Sequence, residues 1–145
     1  MENLFRNIHL LNQTKYEVDQ VRLLWQYVKI ISMIITKSTP FTKDEIEKLK
    51  EVFDTYIKTV IDLEKKICSA GADRHFESEQ ILLEMGSNQK DVWGGGIDLE
   101  TKEIDFNSFI NIRPTDNNSS NDLLDENKRK LYADLSKYFF KEIYE

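Results

Sequence analysis

Little in this chain can cross-link, kink or span a membrane. Its 145 residues hold one cysteine, so no disulfide forms within the chain, and a reducing cytosol is the expected compartment. Cys68 reads as a small core residue, because free cysteine is among the most buried types. Two prolines and five glycines leave few places for a sharp break. With only two histidines, His9 and His75, a metal site built on imidazole has little to draw on. The most apolar run, Val28 to Ile35, is interrupted by Lys29 and Ser32 and falls far short of the ~20 residues that cross a bilayer. The N-terminus lacks the basic region, apolar run and small-residue site of a secretory signal. A basic excess is missing as well. The net charge is −6 and the pI near 5.1, which argues against a nucleic-acid partner, since binding phosphates needs a basic patch. Basic clusters at Lys43, Lys48 and Lys50, at Lys65 and Lys66, and at Lys128 to Lys130 are interleaved with carboxylates and read as solvated faces.

What is present fits a globular domain. The chain is 40% hydrophobic and 32% charged, and its length suits one domain, or one with an extension. The stretch Ile104-Asp-Phe-Asn-Ser-Phe-Ile-Asn-Ile-Arg-Pro114 alternates strictly, with Ile104, Phe106, Ser108, Ile110 and Ile112 on one side. Side chains of a strand alternate between faces, so this predicts a half-buried strand near the middle of a sheet, ended by Pro114.

In chain order, residues 1–13 show no clear period. Thr14 to Glu17 form a capping-box pattern, and Val21, Leu24, Val28 and Ile31 follow at helical spacing, widened by Trp25. A helix over about 15–30 is predicted. A short strand from about Ser32 fits the β-branched run that follows. Thr42 to Glu45 form a second capping box, with Phe41 and Ile46 placed as a hydrophobic staple and a helix from Lys43 to about Asp54. Residues 56–70 fit either a continued helix or a hairpin turning at Glu64 to Lys66. Ser78 suits an N-cap and Gly86 a left-handed helix end, predicting a short helix between them. Asp91 to Asp98 reads as a strand whose three glycines mark a bulge, or a place where other atoms come close. Glu100 to Glu103 would turn it into the strand at Ile104. The polar run 115–122 is a loop, and a last helix over about 125–144 carries Leu124, Leu131, Leu135 and Tyr138, widened by Phe139 and Ile143.

From Gly71 to Ser120 the residues resemble a family of small bacterial and archaeal proteins of unknown function, domain-of-unknown-function family 5674. The resemblance rests on His75, Glu77, Glu79, Leu82 to Glu84, Gly86 and Ser87. It continues through Gln89, Asp91, Trp93, Gly94, Ile97, Phe106 to Ser108, Ile110 to Pro114, Asn118 and Ser120. It extends over about residues 32–140. Three places depart from the family pattern: Ala72-Asp-Arg74, Glu77 where the family commonly has Asp, and Gly96 where it usually has Asn. The family carries no established function. Its glycines across the segment matching residues 66–72 favour the hairpin for residues 56–70.

Together these readings predict an α+β fold. An antiparallel sheet of four to five strands is packed by three to four amphipathic helices. Residues 1–31 form an N-terminal extension with an amphipathic helix, and residues 32–145 form one domain. The polar residues His75, Glu77, Glu84, Gln89, Asp91, Asn111, Arg113 and Asn118, with Trp93 among them, are candidate ligand contacts. His75 with Glu77 and Glu79 is a weak metal pattern, and no metal is expected. Arg113 with Asn111, Asn118 and Ser120 offers a fork for an anion or a nucleotide phosphate. The other reading is a network in which Arg113 pairs with Glu84 or Asp91 and His75 with a carbonyl. Neither Cys68 nor Ser87 nor Ser108 sits in a nucleophile motif, and Gly94-Gly-Gly96 is not followed by the Lys and Ser or Thr of a phosphate loop. A non-enzymatic binding or interaction protein is therefore expected, self-associating through Leu24, Trp25, Val28 and Ile31. The alternative is a small ligand binder or metal-dependent enzyme using the polar cluster.

Overall fold

A computed structural model describes the backbone of residues 2–145 and the side chains of residues 13–29 and 33–145. The chain divides into two compact units, Met1–Ser32 and Met33–Glu145. The first is one helix, α1 (Glu2–Ser32). It starts well before the expected position, so Thr14 lies inside it rather than capping it; Ile31 of the expected stripe lies outside the described side chains.

The second unit is built on five antiparallel strands: β1 (Ile35–Lys37), β2 (Tyr56–Asp62), β3 (Ile67–Ala70), β4 (Val92–Asp98) and β5 (Ile104–Asp105). Their order is β1-β3-β2-β4-β5. The helices are α2 (Lys43–Leu49), α3 (His75–Glu84), α4 (Glu126–Phe139) and α5 (Lys141–Tyr144). This is the expected α+β class. Among the described residues no helix is long and apolar enough to cross a membrane.

The hairpin of β2 and β3 is present. Ile57, Thr59 and Ile61 point to one face and Val60 and Asp62 to the other, as period two requires. Its turn is held by Asp62, whose Oδ1 accepts from the N–H groups of Glu64 and Lys65, with Lys66 in the left-handed region at φ 56°. β2 is the middle strand, and β4 pairs with it across seven consecutive residues, Tyr56↔Asp98 to Asp62↔Val92. The glycines therefore form no bulge. They clear space, which was the other expectation. A Cβ on Gly95 would run into the carbonyl oxygen of Asp105 and lie 3.0 Å from the Tyr132 hydroxyl.

One face of the sheet carries the main core. Ile57, Ile61, Cys68, Trp93 and Ile97 pack with Phe41, Ile46 and Leu49 from the α2 region and with Tyr132, Leu135, Phe139 and Phe140 near the C-terminus. Burying a large apolar side chain stabilises by roughly 1.5–3 kcal/mol, so this cluster dominates the fold. α3 covers the other face, where Leu82 meets Val60 and Val92.

Several boundaries differ from expectation, each for a local reason. α2 ends at Leu49, because the chain must reverse to enter β2 at Tyr56. Its cap holds: Thr42 Oγ1 accepts from Glu45 N at 3.2 Å. The Glu45 carboxylate, however, accepts from Lys37 at 2.7 Å instead of closing the box. α3 begins at His75, three residues before Ser78, whose side chain turns inward and is buried. Gly86 does close it, at φ +100°, with Ser87 N donating to Leu82 O and Gly86 N to Leu83 O. The last helix breaks at Phe140, and it buries Tyr132, Leu135 and Phe139 rather than a stripe through Leu131 and Tyr138. Tyr132 wins the inward place because its hydroxyl has partners there, donating to Thr59 O at 3.0 Å while lying 2.6 Å from Thr59 Oγ1.

The largest correction concerns residues 104–114. Only Ile104–Asp105 is strand, and it lies at the edge of the sheet. Beyond it Asn107 bridges Asp122, and the Ser108 hydroxyl accepts from Ile110 N at 3.3 Å to start a 3-10 turn over Phe109–Asn111. A second 3-10 turn follows over Pro114–Asp116. Asn and Ser side chains that bond nearby backbone compete with a ladder, and here they prevail.

Candidate functional site

Three of the polar residues picked out by the sequence, Asn111, Arg113 and Asn118, gather along the free edge of β4. Position by position, that edge presents backbone groups at Asp98, Gly96, Gly94 and Val92. Asp98 N donates to Glu103 O at 2.9 Å, and Gly96 pairs with Asp105 of β5. At Gly94 the strand partner is gone, and the Asn111 carboxamide stands in its place. Asn111 Oδ1 accepts from Gly94 N at 2.9 Å and its Nδ2 donates to Gly94 O at 2.9 Å. A side-chain amide has the donor and acceptor of a peptide unit, so it can continue a ladder. The same Nδ2 reaches Phe106 O at 3.0 Å and Asn121 O at 3.1 Å. At Val92 the substitute is Arg113. Its Nη2 donates to Val92 O at 2.5 Å and its Nη1 to Gln89 O.

Arg113 is 8% exposed, and its guanidinium carbon lies 3.7 Å from the centre of the Trp93 ring. Lys128 approaches the same ring at 4.8 Å, a contact with no sequence signal, since α4 is distant in the chain. Burial lowers the Arg113 pKa, opposed by the nearby Asp116 and Glu79 carboxylates. Asp116 Oδ2 is 3.9 Å from Arg113 Nε. The expected pairing of Arg113 with Glu84 or Asp91 is thus replaced by main-chain carbonyls and Asp116. Asn118 completes the brace: its Nδ2 donates to Asn111 O at 2.8 Å, Ser120 O at 2.9 Å and Asp122 O at 2.9 Å, and its Oδ1 accepts from Leu124 N at 2.9 Å.

His75, the first residue of α3, is half-buried, and its Nε2 donates to Gly95 O at 2.7 Å. Burial, with Lys58 nearby, pulls its pKa below 6.5, while the Gly95 hydrogen bond and Asp105 oppose this. Tyr56 occupies the space that a side chain on Gly96 would need, and donates from its hydroxyl to Asp105 Oδ2 at 2.6 Å. Glu84 is exposed, as is the Gln89 side chain, and Asp91 is half-buried with its carbonyl accepting from Leu63 N. Glu77 is half-buried and its Oε2 has no hydrogen-bond partner; the same holds for Ser78 Oγ, Glu79 Oε2 and Arg113 Nε. Glu79 is 7% exposed, and burial raises its pKa against the pull of Arg113. Among the described residues no group of three or more His, Cys, Asp or Glu side chains is placed to hold a metal ion.

Sequence reasoning missed Asp62, which is buried and accepts from Ser87 Oγ at 2.5 Å while shaping the hairpin turn. An Asp directly before a polar turn was the available signal. It also missed what the brace displays. Phe109 is 84% exposed and Ile112 46% exposed, on the turn that Asn111 and Asn118 hold.

A family model described as a protein of unknown function (DUF5674) matches residues 33–138, most of the chain. No curated protein matches, and no solved structure does.

Proposed function

The chain belongs to the DUF5674 family of proteins of unknown function, and we propose that it is a non-enzymatic interaction module that self-associates through α1. The observation that carries this is the state of α1. Tyr16, Val18, Val21, Leu23, Leu24, Trp25, Tyr27 and Val28 are all half exposed or more, with Trp25 at 70%. Helices in proteins owe most of their stability to packing of an apolar face, and exposed apolar patches of this size mark interaction sites. In this reading the partners are protein and the module works in the cytosol, without nucleic acid or membrane. The polar residues of the β4 edge support the reading because Asn111 and Asn118 have their amides engaged by the chain itself. Two differently tagged copies of the full chain, expressed together, are expected to purify as one complex. Recovery of each tag alone rejects self-association.

A second reading is favoured by Glu79 and Arg113, whose buried Oε2 and Nε make no hydrogen bond. There a small anion, nucleotide or metal ion binds beside α3, with His75, Glu77 and Arg113 as contacts. A ligand that binds only the folded state raises stability. Melting temperatures raised by phosphate, nucleotides or divalent metals support this reading, and unmoved ones reject it.

A further inference from the structure

Between Val21 and Val28, α1 carries six exposed apolar side chains: Val21, Leu23, Leu24, Trp25, Tyr27 and Val28. At 3.6 residues per turn these sweep an arc of roughly 200° around the helix. Arg22, Gln26 and Lys29 share the strip that is left. Val21, Leu24 and Val28 lie at the centre of the arc. Leu23 and Tyr27 lie at one edge and Trp25 at the other. A two-stranded coiled coil covers only a narrow seam of positions three and four apart. It would cover the central three residues and leave both edges in water.

We infer that α1 packs with at least two further copies of this chain, in a bundle of three or more helices. This rests on the self-association reading above and specifies its geometry. In such a bundle each helix is flanked on both sides, so Leu23 and Tyr27 meet one neighbour and Trp25 another, while the strip of Arg22, Gln26 and Lys29 faces solvent. The area suffices. With roughly 150–250 Å² for a large aromatic side chain, the exposed apolar residues of α1 offer on the order of 1,000 Å² per chain. A standard stable interface buries about 800 Å² per partner. Copies of the chain fit this helix better than a lipid surface does. A surface-lying helix needs a strongly charged face rich in Lys and Arg, whereas the charges of residues 13–29 are mixed: Lys15, Arg22 and Lys29 against Glu17 and Asp19.

Light scattering and sedimentation equilibrium on the full chain, across a concentration series, test this. The expected mass is at least three times the 17.2 kDa of one chain. A dimer overturns the bundle and leaves self-association standing; a monomer at every concentration overturns both. Charge substitutions separate the geometries. Leu24→Glu breaks either assembly, whereas Leu23→Glu and Trp25→Glu, at opposite edges, break a bundle and spare a pair. All three variants are expected to fall to a single-chain mass while Cys68, which is buried, stays protected from thiol reagents, reporting an intact second unit. An assembly that survives both edge charges refutes the bundle. Cosedimentation of a monomer with phosphatidylserine vesicles refutes it too.

Discussion

The two edges of β4 are closed by different means. On the β2 side, seven residues meet seven in a continuous antiparallel ladder, backbone to backbone. On the other side β5 supplies two residues, and then the side chains of Asn111 and Arg113 take over as partners of Gly94 and Val92. A ladder spreads its hydrogen bonds over many residues, any of which can change its side chain with little effect on pairing. A side-chain clamp concentrates them on one or two residues whose identity cannot change. The difference predicts where substitutions will be tolerated and where they will not.

Asn111→Ala is the largest test. It leaves Gly94 N–H and C=O without their partner and removes donors from the carbonyls of Phe106 and Asn121. Each buried polar group so stranded costs about 1–3 kcal/mol, so a loss on the order of 4 kcal/mol is expected, a large part of the stability of a domain this size. Chemical denaturation followed by Cys68 labelling reads it. A loss below about 1 kcal/mol would show that the clamp is dispensable. Gly95→Ala should come next. The added Cβ meets the Asp105 carbonyl and Tyr132 in a packed layer, where overpacking costs about 1–3 kcal/mol. Full stability with an unchanged near-ultraviolet spectrum would mean that β5 and α4 move aside freely. On the ladder side, Thr59→Val keeps the backbone pairing and removes only the hydroxyl beside Tyr132, so about 1 kcal/mol is expected. Equal losses at Thr59 and Asn111 would erase the distinction between the two edges.

The same contrast explains what the sequence made legible. The β2–β3 hairpin agrees with its alternation, its β-branched residues and its polar turn, but a continued helix fits the apolar spacing as well, and it is the family's glycines across the segment matching residues 66–72 that favour the hairpin. The ends of two core helices could be placed from Thr42 and Gly86, whose capping roles are local. Residues 104–114 alternate just as well, yet only the first two form strand. Asn107, Ser108 and Asn111 sit within that alternation; the Ser108 and Asn111 side chains bond backbone instead of continuing the pleat, and Asn107 Nδ2 donates to the Asp122 carboxylate. The period was a true observation about apolar spacing. What it could not show was that Gly94 and Val92 would be waiting across the edge with unpaired groups, since that depends on β4 being in place. Asn111, Arg113 and Asn118 were therefore nominated as polar residues of note with no means of telling whether they faced inward to the chain or outward to a ligand.

The smallest test sits between the two edges, at Gly95, whose carbonyl accepts from His75. Because burial pulls the folded-state pKa of His75 below 6.5, the imidazole is neutral in both folded and unfolded chains at higher pH and contributes its full stabilisation there. As pH falls below 6.5 the unfolded chain takes up the proton first, and that contribution is lost until the folded pKa is passed. Lys58 adds to the effect, and Asp105 works against it. In His75→Gln the amide can still donate to Gly95 O but nothing titrates. The stability advantage of the natural residue should therefore shrink between pH 7 and the folded pKa, while carboxylates elsewhere affect both proteins alike. Denaturation of the two chains at matched pH values measures the difference directly. A difference that stays flat across that range would mean that His75 keeps an ordinary pKa and that α3 leaves it open to water.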